Sequence, residues 1–564
     1  MTDTLVLRRG DDDNERKWDG AIRDASSKGT AGVDMWAGLA TTSPVRDLQR
    51  DLHRAGVRLR AKQPDGVFDV ETEWSVREFQ IYARMIRVAK EDTSSKAPVY
   101  IDRLSAVATG TARYAGPISG VFNAATRAAL AHWTTQSWRC PVVLDAWKSP
   151  KKGAPQERVL ENVWVARDES FKDCTIRARD FTDRYRAQAA TELWRIGRQS
   201  GSTYGTGPAG TTNDAEKPAE VLPESMMGTT WAKMGPAERA TFKVTRAVSE
   251  VECKGFFDVV NGYDPAIQSM GIFHFAMLRS GAGELAILLH AFSKDHASDY
   301  ERCIGDFGVD VAPAPRTPKG PQPPPRFKLS DEAGAFVEPD LDGSEAEKKR
   351  KGGAWAAELQ YLRNWHWFYR LVLLGRTVTP YWRLQWRFAL DRLGTILSMP
   401  FEGTVAPADD PSTTPPRLAT IGDVFTSERA VALILRWHVN RPTDICGSKT
   451  VGKKTVPAAG VSAVAIIEKA KTDKPDLKWT AKCSKWTDAE EEALIDAILG
   501  IKKSKAQGEI GNTLPCTHPP SRTEDPLPRQ EGRARPELGW DRSTTAAVQS
   551  TPARERFARR LEIL

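Results

Sequence analysis

The stretch DGVFDVETEWSVREFQ (residues 65–80), preceded by VRDLQRDLHRAGV (residues 45–57), decides the reading of this chain. Gly66 makes a tight turn, Phe68 plugs a core, and Asp69 suits the N-cap of the helix that follows. Val76 and Phe79 then share one face of that helix. The pattern returns as SGVFNAATRAALAHW (residues 119–133). There Gly120 and Phe122 stand in the places of Gly66 and Phe68, Asn123 replaces Asp69 as the cap, and Leu130 and Trp133 share the helix face. Helical periodicity dominates from about 41 to 150.

Val45, Leu48, Gln49, Leu52, Gly56, Asp65, Gly66, Phe68, Thr72, Val76, Phe79 and Gln80 together resemble the small three-helix peptidoglycan-binding domain carried by many cell-wall hydrolases. The resemblance covers 45–80 closely, with 114–133 as a degenerate second half. It implies a module whose partner is peptidoglycan. Asp69, where the family usually has Gly, and the long stretch 81–113 between the echoes are departures. The residues alone leave a second reading open, a helical bundle whose core and caps bind nothing.

Length and composition set the frame. The 564 residues exceed what one core can organise, and 27% charged with 40% hydrophobic residues is ordinary for a globular protein. The net charge of +8 is the difference between 81 basic and 73 acidic side chains. A mildly basic surface suits nucleic acid and the polyanionic wall alike, so charge does not choose between them. The seven cysteines form no Cys-x-x-Cys pair, which speaks against a zinc ribbon or dithiol centre and for synthesis in a reduced compartment. The start, MTDTLVLRRGDDDNERKW, lacks the order of a signal peptide. The best apolar run, Ala430 to Leu435, is far short of the ~20 residues that span a bilayer. These features predict a protein made in the cytoplasm without a signal peptide and without a membrane span. It would reach the cell wall or periplasm by phage lysis, or by loading into a phage tail or contractile injection machine.

Composition divides the chain into a loose, flexible lead-in (1–40), the module (41–150), and a helical segment with a Gly/Ser/Thr-rich linker (151–225). A patterned region (226–505) with a Pro-rich insertion at 311–350 and a Pro/Arg-rich tail (506–564) complete it. Thr175 to Gly197 reads as a helix, and Asn364 to Leu393 as core helices burying Trp367, Tyr369, Leu371 and Leu374. Val424 to Val439 is read as a capped helix burying Ala430, Leu433, Ile434 and Trp437. A last helix covers about Trp486 to Ile501. The fold class is mainly α, with little strand signal.

The sharpest chemical pattern is GPAERATFKVTRAVSEVECKGFFDVVNGYDPAIQSMGIFHF (residues 235–275). Pro236 and Glu238 mark a helix start, Val244, Ala247, Val248 and Val251 form its buried stripe, and Gly255 stops it. Glu250, four after Arg246, faces solvent as an ion pair. Glu252, four after Val248, lies at the edge of the stripe. Partial burial near the negative end of a helix is the setting that a proton-donating general acid needs. A half-buried carboxylate paired with an Arg or Lys is the other reading of that position.

Glu252, Gly255, Asn261, Asp264, Ser269 and Gly271 resemble, in order and spacing, the Glu-Ser-Gly-Gly … Asn-x-x-Asp … Ser-x-Gly-x-x-Gln-Trp stretch of lysozyme-superfamily wall hydrolases, phage endolysins among them. Cys253-Lys254 in place of Ser-Gly and His274-Phe275 in place of Gln-Trp are departures. The resemblance implies an α+β lysozyme-like catalytic domain in which a short β-hairpin, Phe256–Val260 turning at Asn261-Gly262, forms a cleft wall. It implies cleavage of the β-1,4 bond between N-acetylmuramic acid and N-acetylglucosamine, with Glu252 as acid and Asp264 as second carboxylate. Asn261 and Ser269 would orient water or substrate, Tyr263 and Phe273 would stack on sugars, and His274 would contact the substrate.

Plainer roles stay open: loop capping for Asp264, turn formation for Asn261, core packing for Tyr263 and Phe273. Hydrolysis and lytic transglycosylation, which use the same Glu, stay open too. No cofactor, no metal and no nucleic-acid partner is expected. His290 and His296 lack metal-ligand spacing, and Cys253 reads as a buried free thiol. A wall-anchoring protein with a decayed lysozyme fold and a structural phage-tail component are the rival classes.

Overall fold

The structure, a computed structural model, describes residues 6–15, 43–57, 64–85, 87–91, 103–107, 113–160, 163–164, 173–182, 194–200, 203–205, 226–253, 255–262, 266–316, 322–339, 357–401, 418–451 and 454–501. In chain order its helices are α1 (Pro44–Arg54), α2 (Val70–Ala83), α3 (Ala124–Thr135), α4 (Pro236–Cys253), α5 (Glu284–Asp295), α6 (Ala297–Cys303), α7 (Trp365–Thr377), α8 (Thr379–Leu397), α9 (Ile421–Val424), α10 (Glu428–Asn440), α11 (Pro442–Ile445), α12 (Val461–Asp473) and α13 (Asp488–Ile501). The strands are β1 (Arg87–Glu91), β2 (Arg103–Val107), β3 (Trp138–Arg139), β4 (Val142–Lys148), β5 (Glu157–Leu160), β6 (Thr175–Asp180), β7 (Trp194–Ser200), β8 (Thr203–Gly205), β9 (Val260–Asn261), β10 (Gln268–Met270), β11 (Phe275–Met277), β12 (Val309–Pro313), β13 (Pro325–Ser330), β14 (Phe336–Val337), β15 (Cys446–Val451) and β16 (Lys454–Ala459). The chain divides into two compact units. The first takes 1–218, 258–270 and 275–378, and the second 219–257, 271–274 and 379–564. The module at 41–150 is part of the first unit, and 226–505 contributes to both.

In the first unit, the turns of the two echoes behave as their residues predict. Asp69 accepts from the Thr72 N–H at 2.8 Å and Asn123 from the Thr126 N–H at 3.0 Å, capping α2 and α3. The start of α1 is capped from far away, by Asp13, which accepts from the N–H groups of Val45 and Arg46. Residues 6–13, expected as part of a loose lead-in, instead clasp both turns. Leu7 exchanges two backbone hydrogen bonds with Phe122, Gly10 N–H donates to the Phe68 carbonyl, and Asp13 N–H to the Gly66 carbonyl. Turn peptides buried away from water need such partners, and an extended segment supplies them. The rest of the lead-in and the tail lie outside the described residues.

Beside the module stands an eight-stranded antiparallel sheet in the order β11-β10-β9-β8-β7-β6-β4-β5. Of the expected helix over Thr175–Gly197, the described ends are corrected to strands, β6 and the start of β7, and 183–193 lie outside the described residues. Arg and Ala favour helix locally, but Ile176 and Ala178 are fully buried while Arg177 and Arg179 are only partly so, the period-two alternation of a half-buried strand. Pairing with β4 and β7 decides the outcome. In and just before the Pro-rich insertion, β12, β13 and β14 form a three-stranded sheet. Residues 317–321 and 340–350 of the insertion lie outside the described residues.

Helix α7 is the centre of this unit, buried from Trp365 to Gly375. Arg370 is 3% exposed and grips Glu78 of α2 with both terminal nitrogens, at 2.9 and 2.6 Å. The rings of Phe307, Trp367 and Tyr82 surround its guanidinium at 4.7, 4.8 and 5.3 Å. One residue back, Tyr369 donates to Asp180 of β6 at 2.7 Å. His366 stacks on Trp164 with ring centroids 3.5 Å apart, and its Nδ1 lies 2.6 Å from the Tyr82 hydroxyl. Burial holds the Tyr82 phenol well above its ordinary range, so it stays protonated, and the imidazole tautomer sets the direction of the hydrogen bond they share.

The second unit is built on α4, which packs against α8 and α10. Phe242 and Trp386 meet at 5.3 Å, and Ala430, Leu433, Ile434 and Trp437 are buried as their spacing predicts. Ser427 caps α10, and buried Glu491 of α13 accepts from the N–H groups of Thr426 and Ser427.

Two outcomes follow from the buried network on α7. Glu78→Ala strands the Arg370 charge in a dry site, and chemical denaturation is expected to show a loss of about 3–5 kcal/mol. Burial, with help from the Arg370 charge, holds His366 well below its ordinary value. Its contribution is therefore complete above pH ~6.5 and is lost as pH falls below that, because the unfolded chain takes up the proton first. Unfolding temperatures measured from pH 7.5 to 5 should decline, and less steeply in His366→Phe.

Candidate functional site

The repeated helix–turn–helix module is organised by two buried glutamines. Gln49 of α1 donates through Nε2 to Asp65 Oδ1, the Val67 carbonyl and Thr72 Oγ1, at 2.8, 3.0 and 3.1 Å. Its Oε1 accepts from the Gly66 N–H at 3.0 Å. Gln80 of α2 repeats the arrangement on the second turn. It donates to the Val121 carbonyl and Thr126 Oγ1 at 2.9 and 3.0 Å and accepts from the Gly120 N–H at 2.9 Å. Gly66 and Gly120 both have left-handed backbone, with φ of 82° and 78°, which a side chain would strain.

Helix α2 thus serves twice, as the second helix of the first echo and the first helix of the second. Sequence comparison of the echoes shows the turns and the following helices but misses this sharing. Its signal was present: a Gln precedes each turn, at unequal distance because β1 and β2 intervene in the second half.

Glu252 closes α4 in the second unit, and its side chain is 7% exposed. Arg436 Nε of α10 lies 2.5 Å from its Oε1, Asn440 donates to the same oxygen at 3.2 Å, and His274 Nδ1 lies 3.6 Å from Oε2. The pairing that one reading of the sequence anticipated is therefore present, with Arg436 as the partner. Neither Arg436 nor Asn440 carries a local motif, so the sequence offered no means of finding them. Glu250 pairs with Arg246 at 2.6 Å, as its spacing predicts.

His274 is held beside Glu252 by backbone geometry. It has φ of 48°, uncommon for a residue with a side chain, and its N–H donates to the Gly271 carbonyl. Gly271 has φ of 81° and leaves no room for a Cβ against Gln385 of α8. Gln385 in turn accepts from the Ile272 N–H and donates to the Phe257 carbonyl, at 3.1 Å each. Cys253 is buried, donates to the Ser249 and Ile272 carbonyls, and burial pushes its thiol up to about 12. It is unsuited to act as a nucleophile.

The other predicted site residues that the structure describes fall in both units. Phe273 is fully buried with the Arg392 guanidinium 5.9 Å from its ring, which corrects the sugar-stacking expectation: it is core. Asn261 and Ser269 belong to the first unit, where they sit directly opposite each other in the β9–β10 ladder, both buried. The expected turn at Asn261-Gly262 is corrected accordingly, since Asn261 is in the strand. Tyr263 and Asp264 lie outside the described residues. Among the described residues, no group of three or more His, Cys, Asp or Glu side chains could hold a metal ion, and no helix is long and apolar enough to cross a membrane.

A protein-family model described as "Putative peptidoglycan binding domain" matches residues 41–85. That match covers α1, the Gly66 turn and α2, the part of the chain that Gln49 organises. A helical peptidoglycan-binding domain is thus present. No curated protein and no solved structure matches the chain.

The clamps make a direct prediction. Gln49→Ala or Gln80→Ala leaves a buried turn N–H and carbonyl without their partner, and each is expected to cost about 1–3 kcal/mol in equilibrium unfolding. Gln49→Glu should not rescue the loss, because a carboxylate cannot donate to the Val67 carbonyl.

Proposed function

We propose that this protein binds peptidoglycan and works at the bacterial cell wall. The observation that carries the reading is the glutamine-clamped helix–turn–helix in the residues matched by the peptidoglycan-binding family model. The element is firmly held: Gln49 satisfies the Gly66 N–H, Asp69 caps α2 and Asp13 caps α1, the preorganisation that a recognition surface requires.

A second, more specific reading is a muramidase-type wall hydrolase, or a lytic transglycosylase, with Glu252 donating the proton to the leaving glycosidic oxygen. The order of elements favours it. Helix α4 ends one residue after Glu252, the antiparallel ladder β9-β10-β11 follows, and α5 comes next, the succession that the resemblance to lysozyme-like enzymes implies. His274, the residue replacing the family's Gln, points its ring at the Glu252 carboxylate. The pair with Arg436 weighs on the other side, since an acid must release that contact to reach a substrate. A non-catalytic wall-anchoring protein keeps the first reading and drops the second.

One experiment separates these readings. The full chain should sediment with purified peptidoglycan, and a clearing band in a peptidoglycan zymogram would add catalysis. If Glu252 is the acid, Glu252→Gln should lower lysis by ~10²–10⁴-fold with sedimentation intact, while Glu250→Gln changes little. Lysis by Glu252→Gln at the parental rate would remove Glu252 from the chemistry, and failure of the parent to sediment would remove the wall-binding reading.

A further inference from the structure

Away from Glu252, the first unit contains a groove of about 330 Å³, a volume within the range of small-ligand sites. It is bordered by Arg8 and Arg9, the Ser119–Val121 turn, and the β13–β14 hairpin. Only Glu73 and Arg77 of its lining fall within the residues matched by the family model. The groove is therefore a product of the whole unit. It is preformed: Arg77 donates to the carbonyls of Ile118 and Ser330 at 2.8 and 3.0 Å, tying the turn to the hairpin. Arg8 and Arg9 are set by the backbone clasp of Leu7 on Phe122 and of Gly10 on Phe68.

The charges of this groove are of two kinds. Arg9 is committed, with contacts to Glu73 at 2.6 Å and Glu358 at 3.3 Å. Arg8 is available. It pairs with Glu332 at 3.3 Å, and both side chains are substantially exposed (40% and 51%). An exposed pair of this kind contributes little, so it opens at little cost. A ligand that brings one carboxylate and one amine can take Arg8 with the first and Glu332 with the second. Charge is then conserved, and both new contacts are charge-assisted. Val337, exposed at the same groove, offers a small apolar contact. Among the described residues no aromatic ring lines it, whereas the flat apolar faces of sugars are recognised by stacking on such rings.

We infer that this groove binds the peptide stem of peptidoglycan, a short chain bearing both carboxylates and an amine, and not its sugar strand. The inference rests on the wall-binding reading proposed above, and it assigns Arg8 and Glu332 as the two charges that recognise the stem.

The test uses the full chain, a synthetic stem tripeptide ending in a diamino acid, and chitotetraose as the sugar probe. Titration calorimetry should show binding of the tripeptide, which should also release the chain from sedimented peptidoglycan, while chitotetraose does neither. Arg8→Gln and Glu332→Gln should each weaken tripeptide binding by about tenfold or more, with unfolding temperatures at the parental value. Release by chitotetraose but not by the tripeptide would overturn the inference, as would parental tripeptide affinity in both variants. Failure of the parent to sediment with peptidoglycan at all would instead sink the wall-binding reading beneath it.

Discussion

A guanidinium buried among aromatic rings must have a carboxylate, and in this protein that demand joins elements far apart in the chain. Arg370 takes Glu78 with two parallel hydrogen bonds, so α7 and α2 are locked at one distance and in one rotation. From that anchor the neighbouring residues of α7 reach in other directions. Tyr369 holds β6 through Asp180, and His366 holds Tyr82 while stacking on Trp164. The desolvation of one charge is offset only where all these partners are in place, which makes the arrangement cooperative.

For function, the consequence is that the peptidoglycan-binding helices are not a bead on a tether. One face of α2 is committed to α7, and its Gln80 is committed to the second turn. The faces left for a ligand are those the whole first unit exposes. This is why Arg8 and Arg9, from a segment outside the matched residues, share a groove with Glu73 and with the β13–β14 hairpin.

Glu252 illustrates how one position supports two chemistries. Helix amphipathicity places its carboxylate at the edge of a buried face, where it is either an acid awaiting a substrate or half of an ion pair. Arg436 and Asn440 approach from α10, and His274 is presented by a left-handed backbone that Gly271 and Gln385 stabilise. A carboxylate held by three polar neighbours is positioned with little freedom. That is useful to an enzyme whose substrate displaces one of them, and equally useful to a packing contact.

Local chemistry was legible in the residues by themselves. The Asp69 and Asn123 caps, the Gly66 and Gly120 turns, the stop at Gly255, the Arg246–Glu250 pair and the buried faces of α7 and α10 depend on partners within a few positions. Spacing along the chain therefore determined them. The β6–β7 strands were misread because Arg and Ala content speaks for helix until another strand is there to pair with. The clasp by residues 6–13, the double use of α2, the Arg436 partner of Glu252 and the burial of Phe273 were decided by tertiary structure alone. In each, the energy comes from satisfying a buried polar group or filling a core with residues tens to hundreds of positions away. No local pattern records which distant residue will arrive.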